Sequence, residues 1–190
     1  MSSCNLRRAL VVAWLGFLAA AFPARAEEFH TLLGGLEQVP PVLTDARGKV
    51  AIRVDPEARR VEFALEYNGL EGQPLNATIH FGQPTVNGTA IVVLCFTPIV
   101  VFPSETPRGV VPVVPVPSCP AETDARITGA FDHERVFAAV EQGVDFQDFD
   151  ALVEVLRSGL AYVSVSSVRF PTGEIRGQIH PSMRNGGLSR

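Results

Sequence analysis

The sequence predicts an all-β chain: an antiparallel β-sandwich with one short helix and a long Pro/Val-rich loop. Three observations carry that expectation. Apolar and polar residues alternate with a period of two over many short runs. Turn residues separate those runs. One segment alone shows helical spacing.

The chain opens with Arg7 and Arg8, an apolar run over residues 9–22, and then Ala24-Arg25-Ala26. A positive region, an apolar stretch and a small-x-small site in that order make a secretory signal, cleaved after Ala26. The run falls short of the about 20 apolar residues a spanning helix needs. The expectation is a signal peptide at 1–26, one domain at 27–181 and a flexible tail at 182–190. No membrane span remains after cleavage, and the destination is periplasmic or secreted.

Val50, Ile52 and Val54 alternate with Ala51 and Arg53. Val61, Phe63, Leu65 and Tyr67 alternate with Glu62, Ala64 and Glu66. Asp55-Pro56-Glu57-Ala58-Arg59 turns between them, so the pair reads as a hairpin. Ala77, Ile79 and Phe81 face one way, with Thr78 and His80 the other. A loop at 82–88 ends in the tight Asn87-Gly88 turn. Residues 91–96 are almost continuously apolar, as in a strand covered on both faces. Seven prolines interleave with valines over 98–120. Proline cannot donate to a ladder, so this is a loop with polyproline stretches. Phe149, Leu152, Val153 and Leu156 recur at three and four, with Asp148 before them and Gly159 after. That predicts a helix over about 146–158. Tyr162, Ser164 and Ser166 then oppose Val163 and Val165. In a last strand, Ile175, Gly177 and Ile179 oppose Glu174, Arg176 and Gln178.

The chain has 16 basic and 20 acidic residues, a formal net charge of −4. Losing Arg7, Arg8 and Arg25 makes the mature chain more acidic. An acidic chain without a basic stripe is no nucleic-acid binder. A 46% hydrophobic content argues against disorder. Cys4 leaves with the signal; Cys95 and Cys119 remain. Export favours a disulfide between them, adding about 3 kcal/mol by loop entropy.

Catalytic constellations are thin. His30, His80, His133 and His180 form no H-x-H or H-E-x-x-H, and the chain has no C-x-x-C, G-x-S-x-G or phosphate-binding loop. The serines of Ser164-Val165-Ser166-Ser167 suit a solvent face or hydroxyl pairing across strands. Asp145, Asp148 and Asp150 suit a helix start. His80 could serve a metal only if other strands supplied further ligands.

Four motifs recur in order. They are Leu33-Gly34-Gly35-Leu36-Glu37-Gln38-Val39-Pro40-Pro41-Val42; Ala77-Thr78-Ile79-His80-Phe81-Gly82; Asn87-Gly88 leading to Leu94-Cys95; and Gly159-Leu160-Ala161-Tyr162 leading to Phe170-Pro171-Thr172-Gly173-Glu174-Ile175-Arg176-Gly177. Together they resemble the CHRD domain, first noticed in chordin and present in many bacterial exported proteins, over about residues 28–180. The resemblance implies an immunoglobulin-like sandwich. Chordin's growth-factor binding does not transfer with the fold. Many members resembling this chain have His-x-His where Thr78 and His80 stand, and a histidine where Ser166 stands. Glu174 and Arg176 share a face and could pair with neighbouring strands. Pro40-Pro41 ends the first strand and shields an edge.

The resulting expectation is an exported, non-catalytic binding or structural module of the cell envelope or extracellular space. It has no cofactor, and its partner is an unknown protein or glycan. His80, Glu174 and Arg176 are the candidate binding residues. The alternative is a metal-binding or redox protein resembling copper-zinc superoxide dismutase in architecture, with a site near His80. That alternative requires His30 or His180 close to His80.

Overall fold

A computed structural model describes residues 26–98 and 116–182. The expected signal, most of the 98–120 loop and nearly all of the tail lie outside the described residues. In chain order the elements are β1 (Glu27–Gly34), β2 (Arg47–Asp55), β3 (Arg60–Asn68), β4 (Pro74–Phe81), β5 (Thr89–Phe96), β6 (Ala125–Phe131), α1 (Phe149–Arg157), β7 (Ala161–Ser167), β8 (Ile175–Gln178) and the two-residue β9 (His180–Pro181).

Every pairing is antiparallel. The strands run β5-β4-β7-β8-β1-β2-β3-β6, with β9 beside β1. This is one continuous sheet curled nearly into a barrel, where two separate sheets were expected. The join is β8, which pairs with β7 along its length and meets Gly34 of β1 through Arg176. Alternation assigns faces to a strand but not neighbours, so this join leaves no trace in the periodicity. It also places β1 inside the sheet, so Pro40-Pro41 shield no edge.

The β2–β3 hairpin runs in register from Arg47↔Asn68 to Asp55↔Arg60. Asp55 Oδ1 accepts the N–H groups of Glu57 and Ala58 at 3.1 and 3.0 Å, which fixes the turn. The alternating apolar residues of both strands are buried in one core with Ala77, Ile79, Val163, Val165 and Ile175.

Helix α1 starts three residues later than expected and buries Phe149, Leu152, Val153, Val155 and Leu156. Asp148 caps it, its carboxylate accepting the Ala151 N–H at 2.9 Å. Gly159 ends it at φ 69°, a left-handed conformation glycine adopts without strain. Asp148→Ala should cost about 1 kcal/mol, or about 2–4 °C of melting temperature. An unchanged melting curve would show the cap to be idle.

The two outer faces differ. On β2, β3 and β6 the outward residues are charged and matched across strands: Lys49 and Arg126 both reach Glu66, at 2.7 and 2.8 Å. On β4, β7 and β8 the outward residues are hydroxyls, rings and one guanidinium, largely covered by the loops around them. Among the described residues no helix is long and apolar enough to cross a membrane.

Candidate functional site

The site lies on the outer face of β4, β7 and β8. Strand alternation turns Ala77, Ile79, Val163, Val165 and Ile175 into the core and sends their neighbours outward. Register then sets Asn76 opposite Ser166, Thr78 opposite Ser164, His80 opposite Tyr162, and Ser164 opposite Arg176. The result is a stack. The His80 ring lies parallel to Tyr162 at 4.7 Å, and the Arg176 guanidinium lies 3.5 Å from the Tyr162 centroid.

Arg176 is 1% exposed. Its guanidinium donates to the carbonyls of Gln83 and Val86 at 2.9 and 3.0 Å, and to Asn87 Oδ1 at 3.4 Å. Burial draws its pKa below the usual value; the Tyr162 hydroxyl and Glu37 oppose that shift. Tyr162 Oη accepts the Gly88 N–H at 3.0 Å, and Gln178 Nε2 donates to Gly82 O at 3.0 Å. The 82–88 loop is therefore clamped by β7 and β8. The turn back at Gly88 is so tight that a Cβ there would collide with the Phe81 carbonyl.

Glu174 does not pair with Arg176. It is fully buried, and its Oε1 accepts from Thr44 Oγ1 at 3.1 Å and from the Glu71 N–H at 2.8 Å. Both charged candidates thus serve internal hydrogen bonds, and of the three predicted binding residues only His80 reaches an opening.

His80 Nδ1 lies 3.0 Å from Gly88 O, and Nε2 lies 2.7 Å from Thr78 Oγ1. A carbonyl only accepts, so Nδ1 carries the proton. Nε2 then accepts the Thr78 hydroxyl. Burial chiefly holds His80 below its ordinary pKa of 6.5; Arg176 adds to this and the Gly88 bond opposes it. The unfolded chain therefore takes up this proton first on acidification. His80's contribution to stability should be complete above pH 6.5 and fade as pH drops from there toward the lowered value. Thermal melts between pH 7.5 and 5 should fall more steeply for the native chain than for His80→Gln. A His80 that titrates by NMR at or above 6.5 would refute this.

Beside the stack lies a pocket of about 350 Å³ between β4, β5 and β7. Asn76, Thr78 and His80 of β4, Ser164 and Ser166 of β7, and Thr172 make its polar side; Ala90, Val93 and Phe96 of the neighbouring β5, with Pro171, add apolar surface. The hollow along β2, β3 and β6 is larger, at about 520 Å³, but is lined by the matched charges of Lys49, Glu66 and Arg126. Ser164 and Ser166, expected on a solvent face or in hydroxyl pairing across strands, are 8% and 3% exposed. Gln38 Nε2 donates to Ser164 Oγ at 3.1 Å. Ser166 Oγ is buried with no hydrogen-bond partner. Only the alternation of hydroxyls along two strands hinted at this wall. Gln38, which bonds it, comes from distant sequence.

Thr78, His80 and Ser166 do converge here. As a donor set they offer one imidazole and hydroxyls, which suits neither copper nor zinc. His30 pairs with His180 across β1 and β9, and β7 and β8 lie between β4 and β1. His30 is thus three strand spacings from His80, roughly 14 Å, and His180, in line with β8, two, roughly 10 Å. Among the described residues no three His, Cys, Asp or Glu side chains gather as metal ligands.

Cys95 and Cys119 form a disulfide with Cα atoms 4.9 Å apart. No curated protein and no solved structure matches the chain. The family model of the CHRD domain matches residues 29–179. That match takes in β2 through β8, the stack, the clamped loop and the pocket, and with it the chain belongs to the CHRD domain family.

Proposed function

We propose that the chain is an exported, non-catalytic binding module of the cell envelope or extracellular space. The carrying observation is the fate of its polar side chains. Arg176 and Glu174 are committed to holding loops. Beside them opens a small pocket of hydroxyls around one imidazole with both nitrogens engaged. Such a wall recognises a ligand. Among the described residues it lacks a carboxylate to orient a base and a charged group to stabilise a reacting centre. The signal-like start and the Cys95–Cys119 bridge support export to an oxidising compartment.

The test is fractionation of cells that make the protein, with N-terminal sequencing and thiol labelling. The expected product begins at Glu27, lies outside the cytoplasm and has no labelled thiol. Recovery of a cytosolic chain that keeps Met1 and free thiols would overturn the reading.

A further inference from the structure

We propose that the pocket between β4, β5 and β7 binds a neutral sugar residue. This rests on the binding-module reading and names its ligand. At about 350 Å³ the pocket falls within the roughly 300–1,000 Å³ of small-molecule sites.

Its polar wall presents both senses of hydrogen bond. Thr78 Oγ1 gives its proton to His80 Nε2, so its lone pairs remain free to accept. Ser164 Oγ accepts from Gln38, which leaves its own O–H to donate. Ser166 Oγ is buried and unpartnered behind this wall, with both capacities unused. A buried hydroxyl left unpaired costs about 1–3 kcal/mol, and a ligand hydroxyl that shifts the atoms covering it would remove that cost. A ligand that donates and accepts at adjacent positions is a polyol.

The adjoining β5 side is apolar. Ala90, Val93 and Phe96 stand beside His80, Thr78 and Asn76 in register, and Phe96 is 49% exposed. A pyranose matches both sides, with hydroxyls at its edges and a C–H face that packs on an aromatic ring. Among the described residues no Asp, Glu, Lys or Arg lines the pocket. The nearby guanidinium, Arg176, lies against the Tyr162 ring and is committed to loop carbonyls. An anionic ligand would find no partner there.

The experiment is an amide NMR titration of the mature, oxidised protein with methyl glycosides of glucose, galactose, mannose and N-acetylglucosamine. Acetate and phosphate serve as charged controls. A parallel assay measures cosedimentation with envelopes of the producing cells. The expected result is saturable shifts from at least one glycoside at Thr78, Ser164, Ser166 and Thr172, and none there from the anions. Phe96→Ala, at an exposed position, should weaken binding about tenfold. Ser166→Ala should weaken it several-fold yet melt at or above the native temperature, because it removes an unpaired buried hydroxyl. Shifts from the anions instead, affinity unchanged in both variants, or no response to any glycoside would overturn the assignment. Cosedimentation without a glycoside response would sink the pocket alone and leave the module reading standing. Failure of both assays would sink both.

Discussion

Replacing Arg176 with alanine should lower stability by about 4 kcal/mol and the melting temperature by on the order of 10 °C. Two loop carbonyls, Gln83 and Val86, lose their donor, at about 1–2 kcal/mol each. The Tyr162 ring loses a desolvated cation on its face, about 1–2 kcal/mol more. Nothing else is placed to substitute, because the residue is 1% exposed and sits under the loop it holds. Arg176→Lys should recover less than half of the loss. An ammonium keeps the charge but neither stacks flat on a ring nor forks to two carbonyls. The damage should also be local. Amide exchange across the 82–88 loop should rise far more than exchange in the β2–β3 hairpin. If Arg176→Ala proves too unstable to purify, the lysine variant carries the same exchange test. Melting within 2 °C of the native protein, or a uniform rise in exchange, would show that the stack does not anchor the loop.

That role was invisible in the sequence, and the reason is physical. Alternation puts Arg176 on the face opposite Ile175, and an arginine on such a face reads as solvated. What buries it is a loop some 90 positions earlier, brought over the sheet by the β4–β7 and β7–β8 pairings. Of the two readings open for Ser164 and Ser166, the solvent face fails for the same cause, since Gln38, 126 positions before Ser164, bonds its hydroxyl. Features fixed by local chemistry were legible: the β2–β3 hairpin with its Asp55 turn, and α1 with its Asp148 cap. Strand β6 lacks a clean apolar alternation because Gly129 stands where a side chain would. In register, Gly129 faces Phe63, whose ring lies where a Cβ at Gly129 would point. A glycine covered by a cross-strand aromatic is a strand feature that only the pairing reveals. The family motifs were legible as a resemblance, yet their charged members proved to be internal anchors. A motif therefore marked where the fold is constrained, and the open pocket lay beside it.

The near-closure of the sheet puts a second large effect at Cys95–Cys119. Strands β5 and β6 end the hydrogen-bonded path, so the seam between them has no ladder of its own. It is spanned otherwise. The Phe137 N–H, after β6, bonds the Ile91 carbonyl of β5 at 2.8 Å. The Phe96 N–H bonds the Pro117 carbonyl at 3.0 Å, and the disulfide ties Cys95 of β5 to the chain entering β6. Exchanging both cysteines for serine should cost about 3 kcal/mol through the freed unfolded chain, or roughly 6–12 °C of melting temperature. Loop entropy alone would destabilise every region equally through global unfolding. Loss of a seam would also open β5 selectively. Amide exchange at Ile91, Leu94 and Phe96 should therefore rise in the reduced native state by more than at Ile52 or Leu65, which lie in the paired interior of the sheet. Because Phe96 lines the pocket and is the neighbour of Cys95, reduction should weaken glycoside binding in step with that exchange. A reduced protein that melts normally would remove the bridge as a stabiliser. One that melts lower, with uniform exchange and unchanged glycoside affinity, would leave it a plain entropic link with no hold on the site.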